Sequence, residues 1–517
     1  MSHNNTENNK RVAKNTFALY FRMLLTMLVT LYTSRIILNV LGVEDYGVYN
    51  IVAGIVVMID FINAALYGAS LRFMTYVMDD TILVRNRIFS TIKFVHFLIS
   101  IFTIIIGETI GIWFLHNFMV IPPERLEAAV WVFHFTLLML ALCEMNLPYT
   151  ALMMAYEKMT VFAYFSILEV GLKFFVAVVL LYLSYDKLIS YAVLLFLIQC
   201  FVRTFYLHYC RRNFVEAKVS MHLYKQEILK IGKFTNFTLL GTMSNVLMFQ
   251  GTNILLNLFF GPIINASRGI SVQVDTAINK LCSGFLIAVK PQVIKSYSCN
   301  DYNRVKSLFI FSSKVSIYLT LLIVTPILYF TPNILTLWLG DFPIYTVEFV
   351  RIILIQELFY SLSYPIVALV EATGDIKRFQ VYSAISNLLF IPIGYLSLKY
   401  ANISPNILML IMLFFSVITF ILRLAIVLKI VKLSFAYYMK YIINPTLYTF
   451  AFVIFGYFYI PSSLDISIIN VFVYSLCVIL SLIIVIYLSG VTKRERELIN
   501  RYVCSIFTKI LQKNKTK

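Results

Sequence analysis

Long apolar runs alternate with short polar stretches along almost the whole chain. The runs recur from near Asn15 to Gly490, and each has about 20 to 28 residues, enough for a helix to cross the hydrocarbon of a bilayer. The pattern predicts an all-α integral membrane protein. Its roughly fourteen spans begin near Asn15, Gly47, Phe89, Glu127, Met159, Leu188, Gly232, Pro262, Ser307, Val347, Phe379, Pro405, Tyr441 and Ser467.

The composition supports a lipid environment for most of the chain. Of the 517 residues, 60% are apolar and 13% are charged, and the mean hydropathy is +0.84. The polar connections are short, so they leave no room for a soluble catalytic domain. The sequence also lacks the nucleotide-binding pattern G-x-x-x-x-G-K-[ST] and the hydrolase patterns H-E-x-x-H and G-x-S-x-G. These features favour a carrier over an enzyme.

The net charge of +18 follows the predicted sides of the membrane. Placing the amino terminus inside assigns roughly 27 Lys and Arg residues to inner segments and about three, Arg125, Lys187 and Lys399, to outer loops. The positive-inside rule then predicts that both termini are cytoplasmic. Because the basic residues are distributed by side and not gathered into one patch, we expect no nucleic-acid partner.

Two short segments suggest that the chain contains a repeat. The segment S-R-I-I-L-N-V-L begins at Ser34, and T-N-I-L-L-N-L-F begins at Thr252; each is followed by a glycine within a few residues. The register that aligns Asn39 with Asn257 also aligns Arg72, near the inner end of the second span, with Lys290 near the inner end of the eighth. A repeat of six spans is parallel, so it predicts two six-helix lobes around a central cavity.

The predicted organisation follows from this repeat. The last two spans are interpreted as an addition outside both lobes. The predicted segments are a cytoplasmic tail at 1–14, the first lobe at 15–211, a basic cytoplasmic connection at 212–231, the second lobe at 232–430, two further helices at 441–489, and a basic cytoplasmic tail at 490–517.

Four of the spans carry polar side chains at intervals of three or four residues, which places them on one helix face. Ionisable groups within a span are costly and usually face a cavity or one another. The candidate cavity residues are Arg22, Thr26 and Thr33 on the first span, Asp60 and Asn63 on the second, Thr242 and Asn245 on the seventh, and Arg268, Ser271, Asp275 and Asn279 on the eighth. The alternative is that the Thr and Asn side chains join helices, and that Arg268 lies at the outer interface with Asp275 paired to it or to a neighbour.

Other ionisable residues within the spans are not assigned to the cavity. Glu169 and Lys173 lie four residues apart on the fifth span, so we expect them to neutralise each other. Five further ionisable residues have no partner visible in the sequence, namely Glu108, Glu144, Glu357, Glu371 and Arg423.

Metal and cofactor chemistry has little support in the sequence. The seven cysteines are scattered, with no C-x-x-C pattern and no Cys/His cluster, so we expect neither a disulfide nor a metal site. We predict no cofactor. A buried carboxylate such as Asp60 or Asp275 can nevertheless couple transport to H⁺ or Na⁺, and the residues do not choose between the two ions.

The first two spans resemble a known family. The chain reads F-R-M-L-L-T-M-L-V-T-L-Y-T-S-R-I-I-L-N-V-L-G-V-E-D-Y-G-V-Y-N up to Asn50, and then A-L-Y-G-A-S-L-R-F-M-T-Y from Ala65. These stretches resemble the start of Wzx-type bacterial polysaccharide flippases. The predicted plan of the whole chain is similar to the larger superfamily that joins these flippases to multidrug and toxin extrusion carriers and to lipid II flippases.

The resemblance implies a function and a location. Members of this family are thought to move undecaprenyl-pyrophosphate-linked oligosaccharides from the inner to the outer leaflet by alternating access, during synthesis of O-antigen, capsule or exopolysaccharide. The resemblance also implies a location in the bacterial inner membrane, a lipid-linked oligosaccharide substrate, contact with membrane lipids, and polysaccharide assembly enzymes as partners. The resemblance assigns no individual residue a role.

Two other functions stay open from the residues. An ion-coupled multidrug or metabolite exporter of the same superfamily would require an acidic cavity for organic cations, whereas the candidate faces mix Arg with Asp. A membrane enzyme such as a polysaccharide polymerase or acyltransferase is disfavoured, because the short outer loops carry no cluster of acidic or histidine residues.

Overall fold

The computed structural model describes residues 2–156, 158–373, 376–458, 468–492, 495–497 and 500, and these residues form helices and no strand. A π-helical turn at Gly107–Gly111 joins the third and fourth helices into one segment. The helices of the first half are α1 (Ser2–Ile59), α2 (Phe61–Tyr76), α3 (Ile82–Ile106), α4 (Ile112–Phe118), α5 (Leu126–Ala155), α6 (Met159–Tyr182) and α7 (Lys187–Asn213).

The second half continues in the same way. Two π-helical turns, Met439–Ile443 and Ile486–Gly490, join or extend its last helices. These helices are α8 (Lys225–Phe260), α9 (Pro262–Ser298), α10 (Tyr302–Tyr329), α11 (Thr331–Leu339), α12 (Thr346–Thr373), α13 (Ile376–Ala401), α14 (Pro405–Val431), α15 (Phe435–Tyr438), α16 (Asn444–Phe458) and α17 (Ile468–Val485).

The helices match the pattern of apolar runs. Among the described residues, ten helical segments are long and apolar enough to cross a membrane, and the prediction of an all-α protein with many spans is confirmed. The predicted starts at Met159, Pro262 and Pro405 coincide with the first residues of α6, α9 and α14. Proline suits the first helical position because its missing N–H would have no partner there.

Local hydrogen bonds fix where other helices begin. The Asp186 carboxylate accepts a 3.0 Å hydrogen bond from the Ile189 N–H and caps α7, and Asp301 caps α10 by the same contact with the Arg304 N–H.

Some boundaries differ from the prediction: α3 begins at Ile82, seven residues before the predicted Phe89, and α10 begins at Tyr302, five residues before the predicted Ser307. Helix α8 begins at Lys225, seven residues before the predicted start of the seventh span, so part of the predicted basic connection is helical.

Each half of the predicted repeat breaks a helix at the glycine that follows its matched segment. Gly42 interrupts α1 with φ 76° and ψ 171°, and Gly261 ends α8 with φ 79° and ψ −173°. Glycine adopts this positive-φ, extended conformation without the steric penalty of a side chain. The chain after Gly42, together with α2, therefore forms the second predicted span, as α9 forms the eighth.

The chain divides into two compact units. One comprises 1–280, 338–353 and 375–422, and it contains an apolar cluster on α8, α9, α12, α13 and α14. The other comprises 281–337, 354–374 and 423–517, with an apolar cluster on α10, α16 and α17. The lobe boundaries predicted from the sequence stay a prediction. All of the candidate cavity residues belong to the first unit.

Candidate functional site

The polar stripe on α9 lies in a buried environment. Arg268 is only 1% exposed. Its guanidinium carbon lies 5.2 Å from the centre of the Phe249 ring, and one terminal nitrogen lies 3.9 Å from the Met412 sulfur. Ser271 and Asp275 are buried as well, whereas Asn279 is half-buried. A buried guanidinium is suited to bind an anion that reaches it.

The start of this stripe is held against the second span. A Cβ atom on Gly47 would overlap the backbone of Pro262, the first residue of α9. A Cβ on Gly269 would lie 2.6 Å from the side chain of Asn50. The two spans approach this closely because glycine occupies both contact positions.

The polar face of the first span is largely satisfied within its own helix. The Thr26 hydroxyl donates to the Met23 carbonyl oxygen at 3.1 Å, and the Thr33 hydroxyl donates to that of Val29 at 2.7 Å. This pattern is the one expected of helix-stabilised threonines. The side chain of Arg22 lies outside the part of the chain that the structure describes.

Thr33 also borders a small polar cavity of about 150 Å³. Three tyrosines face it, and the Gln273 side-chain amide donates to the hydroxyl of one of them, Tyr46. Its lining comprises Thr30, Thr33, Ser34, Ile37, Tyr46, Tyr49, Asn50, Val170, Lys173, Tyr191 and Gln273.

Asp60 and Asn63 meet a buried glutamate. The Asn63 side-chain amide donates to Asp60 Oδ1 and to Glu144 Oε1, at 2.7 Å in each case, and the Thr103 hydroxyl donates to the same Glu144 oxygen at 2.8 Å. Glu144 is 0% exposed, and its Oε2 has no hydrogen-bond partner among the described residues. We call these four residues the acidic network. Because one amide bridges two carboxyl groups, a change of charge on either group alters the hydrogen bonding of the other.

A cavity of about 380 Å³ lies beside the acidic network. Its walls are mostly apolar; Asp60 supplies a carboxyl group and Asn63 supplies an amide. It is lined by Tyr49, Ala53, Val56, Val57, Asp60, Asn63, Tyr67, Thr136, Met139, Leu140, Cys143 and Leu147. Among the described residues, no group of three or more His, Cys, Asp or Glu side chains is placed to hold a metal ion.

Asn245 takes part in a second buried network, which contains only neutral groups. The Asn387 side-chain amide donates to Asn245 Oδ1 at 2.8 Å. The Thr419 hydroxyl lies 3.1 Å from Asn387 Oδ1 and 2.9 Å from the Ser386 hydroxyl. We call these four residues the amide network; it joins α8, α13 and α14. Thr242, one turn earlier on α8, is half-buried.

The predicted pair on the fifth span is confirmed and belongs to a larger cluster. Lys173 Nζ lies 2.8 Å from Glu169 Oε1, and the same oxygen accepts a 2.7 Å hydrogen bond from the Gln199 side-chain amide. Arg203 lies 4.0 Å from the other Glu169 oxygen. No sequence pattern indicated that Gln199 and Arg203 of α7 would join this cluster.

The candidate residues are therefore distributed over separate places within the first unit. Asp60 and Asn63 join the acidic network, Asn245 joins the amide network, and the α9 stripe surrounds Arg268. Glu144, Asn387 and Thr419 were not among the candidates, although they complete the two networks.

Comparison with known proteins identifies the fold. No family model and no curated protein sequence matches the chain. Solved structures do match. An inward-facing multidrug resistance MATE family transporter of the MOP superfamily matches with a TM-score of 0.63 and 11% identity, over 79% of this chain and 94% of that one. The chain has the fold of MOP-superfamily transporters.

Two further structures agree with this fold. The lipid II flippase MurJ, in an inward closed conformation, matches with a TM-score of 0.64 and 13% identity, over 92% of this chain and 99% of that one. An outward-facing MATE transporter matches with a TM-score of 0.53 and 14% identity, over 81% and 96% of the two chains. At these identities the similarity shows the fold and leaves the substrate to other arguments.

Proposed function

We propose that the protein is a flippase for lipid-linked oligosaccharides, which carries undecaprenyl-pyrophosphate-linked repeat units from the inner to the outer leaflet for cell-surface polysaccharide synthesis. The observation that carries the proposal is the extent of the structural match. The lipid II flippase aligns with 92% of this chain, whereas the two MATE transporters align with 79% and 81%. The sequence resemblance of the first two spans to Wzx-type flippases supports the same substrate class.

The buried Arg268 supports a substrate that carries phosphate. A cation held among Phe249 and Met412 has little competition from water, so a charge-assisted hydrogen bond to a pyrophosphate oxygen is strong there. Amide and hydroxyl groups such as Asn279 and Ser271 are suited to bind the glycan, while the lipid tail stays in the bilayer.

The acidic network supports coupling of transport to a proton. Glu144 Oε2 is buried without a hydrogen-bond partner among the described residues, so it is a position at which the group can take up a proton. Protonation would remove a buried negative charge and weaken the bond from Asn63, which also contacts Asp60. In this proposal the proton is preferred to Na⁺ because the network has few oxygens that converge on one point.

The second candidate function is export of organic cations, as in a multidrug exporter. The cavity beside Asp60 favours it, since aromatic and apolar walls with one carboxyl group are suited to a hydrophobic cation. The MATE transporters among the structural matches agree with this alternative.

Reconstitution in liposomes separates the two functions. A short fluorescent undecaprenyl-pyrophosphate oligosaccharide is placed in the membrane, and its accessibility to an outside quencher is followed with a pH gradient of either direction. We expect protein-dependent translocation, a decrease of about tenfold in Arg268→Gln, and loss of the response to the gradient in Glu144→Gln.

The control is Arg212→Gln, which removes one positive charge from an exposed position at the end of α7. It should translocate the probe as the wild type does. Absence of translocation by well-folded protein would contradict the flippase proposal, and export of a fluorescent organic cation in the same liposomes would favour the exporter.

A further inference from the structure

A third cavity, of about 370 Å³, lies among α3, α5 and α7. Of the residues that the structure describes, three cations and no acidic residue line its walls. The predicted topology places this end of the three helices on the cytoplasmic side. The lining residues are Lys93, Phe97, Leu142, Met145, Asn146, Tyr149, Cys200, Arg203, Thr204, Leu207, Arg211 and Met221.

Lys93 is a buried cation with spare donors. Its side chain is 6% exposed, and its Nζ donates to the Val219 carbonyl oxygen at 2.7 Å. An ammonium has three donors, and the other two have no hydrogen-bond partner among the described residues. The rings of Phe89 and Tyr149 lie about 6 Å from Nζ, at 6.0 and 5.9 Å, and give only weaker cation–π contact.

Arg211 brings a second positive charge to the same place. It lines the same cavity as Lys93 and Tyr149, and its positive charge repels that of Lys93. Two like charges that line one cavity oppose the folded arrangement, and an anion between them would offset their repulsion. An anion bound by both groups would therefore relieve a repulsion as well as fill the donors of Lys93.

Arg203 extends the positive surface deeper along α7. It precedes Arg211 by two helical turns, about 12 Å at 1.5 Å per residue. Its Nε donates to Gln199, and its nearest carboxylate is that of Glu169, at 4.0 Å. Glu169 is already paired with Lys173 at 2.8 Å, so the cavity keeps an excess of positive charge.

The composition of the lining indicates an amphipathic ligand. Besides the three cations, Phe97, Leu142, Met145 and Leu207 form an apolar part of the wall. Among the wall residues, Met145 is exposed at the surface of the helical bundle. Phosphate matches the cations, and an acyl chain or the bilayer itself matches the wall.

We propose that this cavity binds a phosphate-bearing anion, with the phosphate held between Lys93 and Arg211 and with Arg203 supplying the positive potential below it. The proposal does not depend on the transported substrate. An anionic phospholipid of the inner leaflet and a soluble phosphate share this chemistry, and the experiment below separates them.

The bound anion would also stabilise a junction in the fold. The segment that follows α7 is attached to α3, since the Ser90 hydroxyl contacts both the Ser220 carbonyl oxygen (2.7 Å) and the His222 N–H (2.6 Å). Val219, the acceptor of the Lys93 bond, belongs to the same segment. An occupied cavity should therefore raise the temperature at which the protein unfolds.

The test is a thermal unfolding titration of the full chain, purified in a neutral detergent and stripped of lipid. The probes are short-chain phosphatidylglycerol, short-chain phosphatidylcholine and inorganic phosphate. We expect saturable stabilisation by phosphatidylglycerol, and apparent binding that is about tenfold weaker in Arg211→Gln. Arg212→Gln is the matched control, because it neutralises the next residue of the same helix end and should bind as the wild type does.

Lys93→Gln removes the other cation of the proposed phosphate site and should also weaken binding. If that variant does not fold, Lys93→Arg keeps the charge and should retain binding within a few-fold. Stabilisation by phosphatidylglycerol alone identifies a lipid site, and stabilisation by inorganic phosphate as well identifies a site for soluble phosphates. Equal weakening in Arg211→Gln and Arg212→Gln would overturn the proposal in favour of unspecific charge attraction. Equal binding of phosphatidylcholine and phosphatidylglycerol, or no saturable binding at all, would overturn it too.

Discussion

The acidic network and the amide network are both buried in the first compact unit, but they differ in what they can do. Asp60, Asn63, Thr103 and Glu144 include two groups that change charge when a proton binds. The amide network joins Asn245 to α13 and α14 through groups that stay neutral at every physiological pH.

This difference separates a structural role from a role that can drive transport. Neutral amides and hydroxyls fix the position of neighbouring helices with a modest gain in stability. Burying a carboxyl group costs more free energy than burying a neutral amide or hydroxyl, so a buried carboxyl group is expected where its charge serves a function. The comparison predicts that the first network responds to substitution more strongly than the second and that it alone responds to pH.

The largest effect is expected from Glu144→Leu. Leucine leaves one N–H of the Asn63 amide and the Thr103 hydroxyl without the acceptor that Glu144 provides, while the other Asn63 N–H keeps Asp60; the two lost bonds cost about 2–5 kcal/mol of unfolding free energy. Unfolding in mixed detergent micelles measures the loss. Glu144→Gln keeps a carbonyl acceptor and should lose less than half as much; equal losses in both variants would show that these hydrogen bonds do not stabilise the protein.

A smaller loss is expected in the amide network. Asn387→Leu removes the bond to Asn245 and one acceptor of Thr419, which corresponds to about 1–2 kcal/mol for neutral groups between membrane helices. The same unfolding measurement, repeated at several pH values, should give a loss that does not vary with pH. A loss larger than that of Glu144→Leu would reverse the comparison.

The helices could be predicted from sequence because each apolar run has the length of a span. Asp60 and Asn63 could also be grouped, since they lie three residues apart on one helix face. Glu144 could not be joined to them, because 81 residues separate it from Asn63 and no sequence pattern records that contact. Likewise, Glu108 meets His134 at 2.9 Å, a contact between different helices.

The predicted repeat shows a further limit of sequence reasoning. The glycines that follow the two matched segments adopt the same backbone conformation. The aligned asparagines do not share a role. Asn39 is exposed, whereas Asn257 is buried and exchanges hydrogen bonds of 2.8 and 3.0 Å with the backbone of Val120. In these two segments, a similar sequence thus corresponds to a similar backbone conformation but not to similar side-chain contacts.

The smallest effect is expected at an ion cluster outside the buried networks, which provides the reference for an exposed carboxylate. Arg125 lies 2.6 Å from both Asp186 and Asp45. Partial burial raises the pKa of Asp186, but the hydrogen bonds from Arg125 and the Ile189 N–H together lower it by more. The pKa of Asp186 therefore lies below its ordinary value of 3.8. A carboxylate with a lowered native pKa stabilises the fold above its unfolded pKa, and this contribution is lost as the pH falls through the native value.

We therefore expect the wild type to lose about 0.2–1 kcal/mol relative to Asp186→Asn between about pH 5 and pH 3, because the pair is partly exposed and screened. Unfolding midpoints of the two proteins across this range measure it. If the difference in stability between the wild type and Asp186→Asn grew as the pH rose above 5, the Arg125 cluster would not be the source of that difference. A pH-dependent difference in stability between the wild type and Glu144→Gln at higher pH, where Asp186 stays ionised, would then belong to the acidic network. The comparison of the two networks requires this distinction.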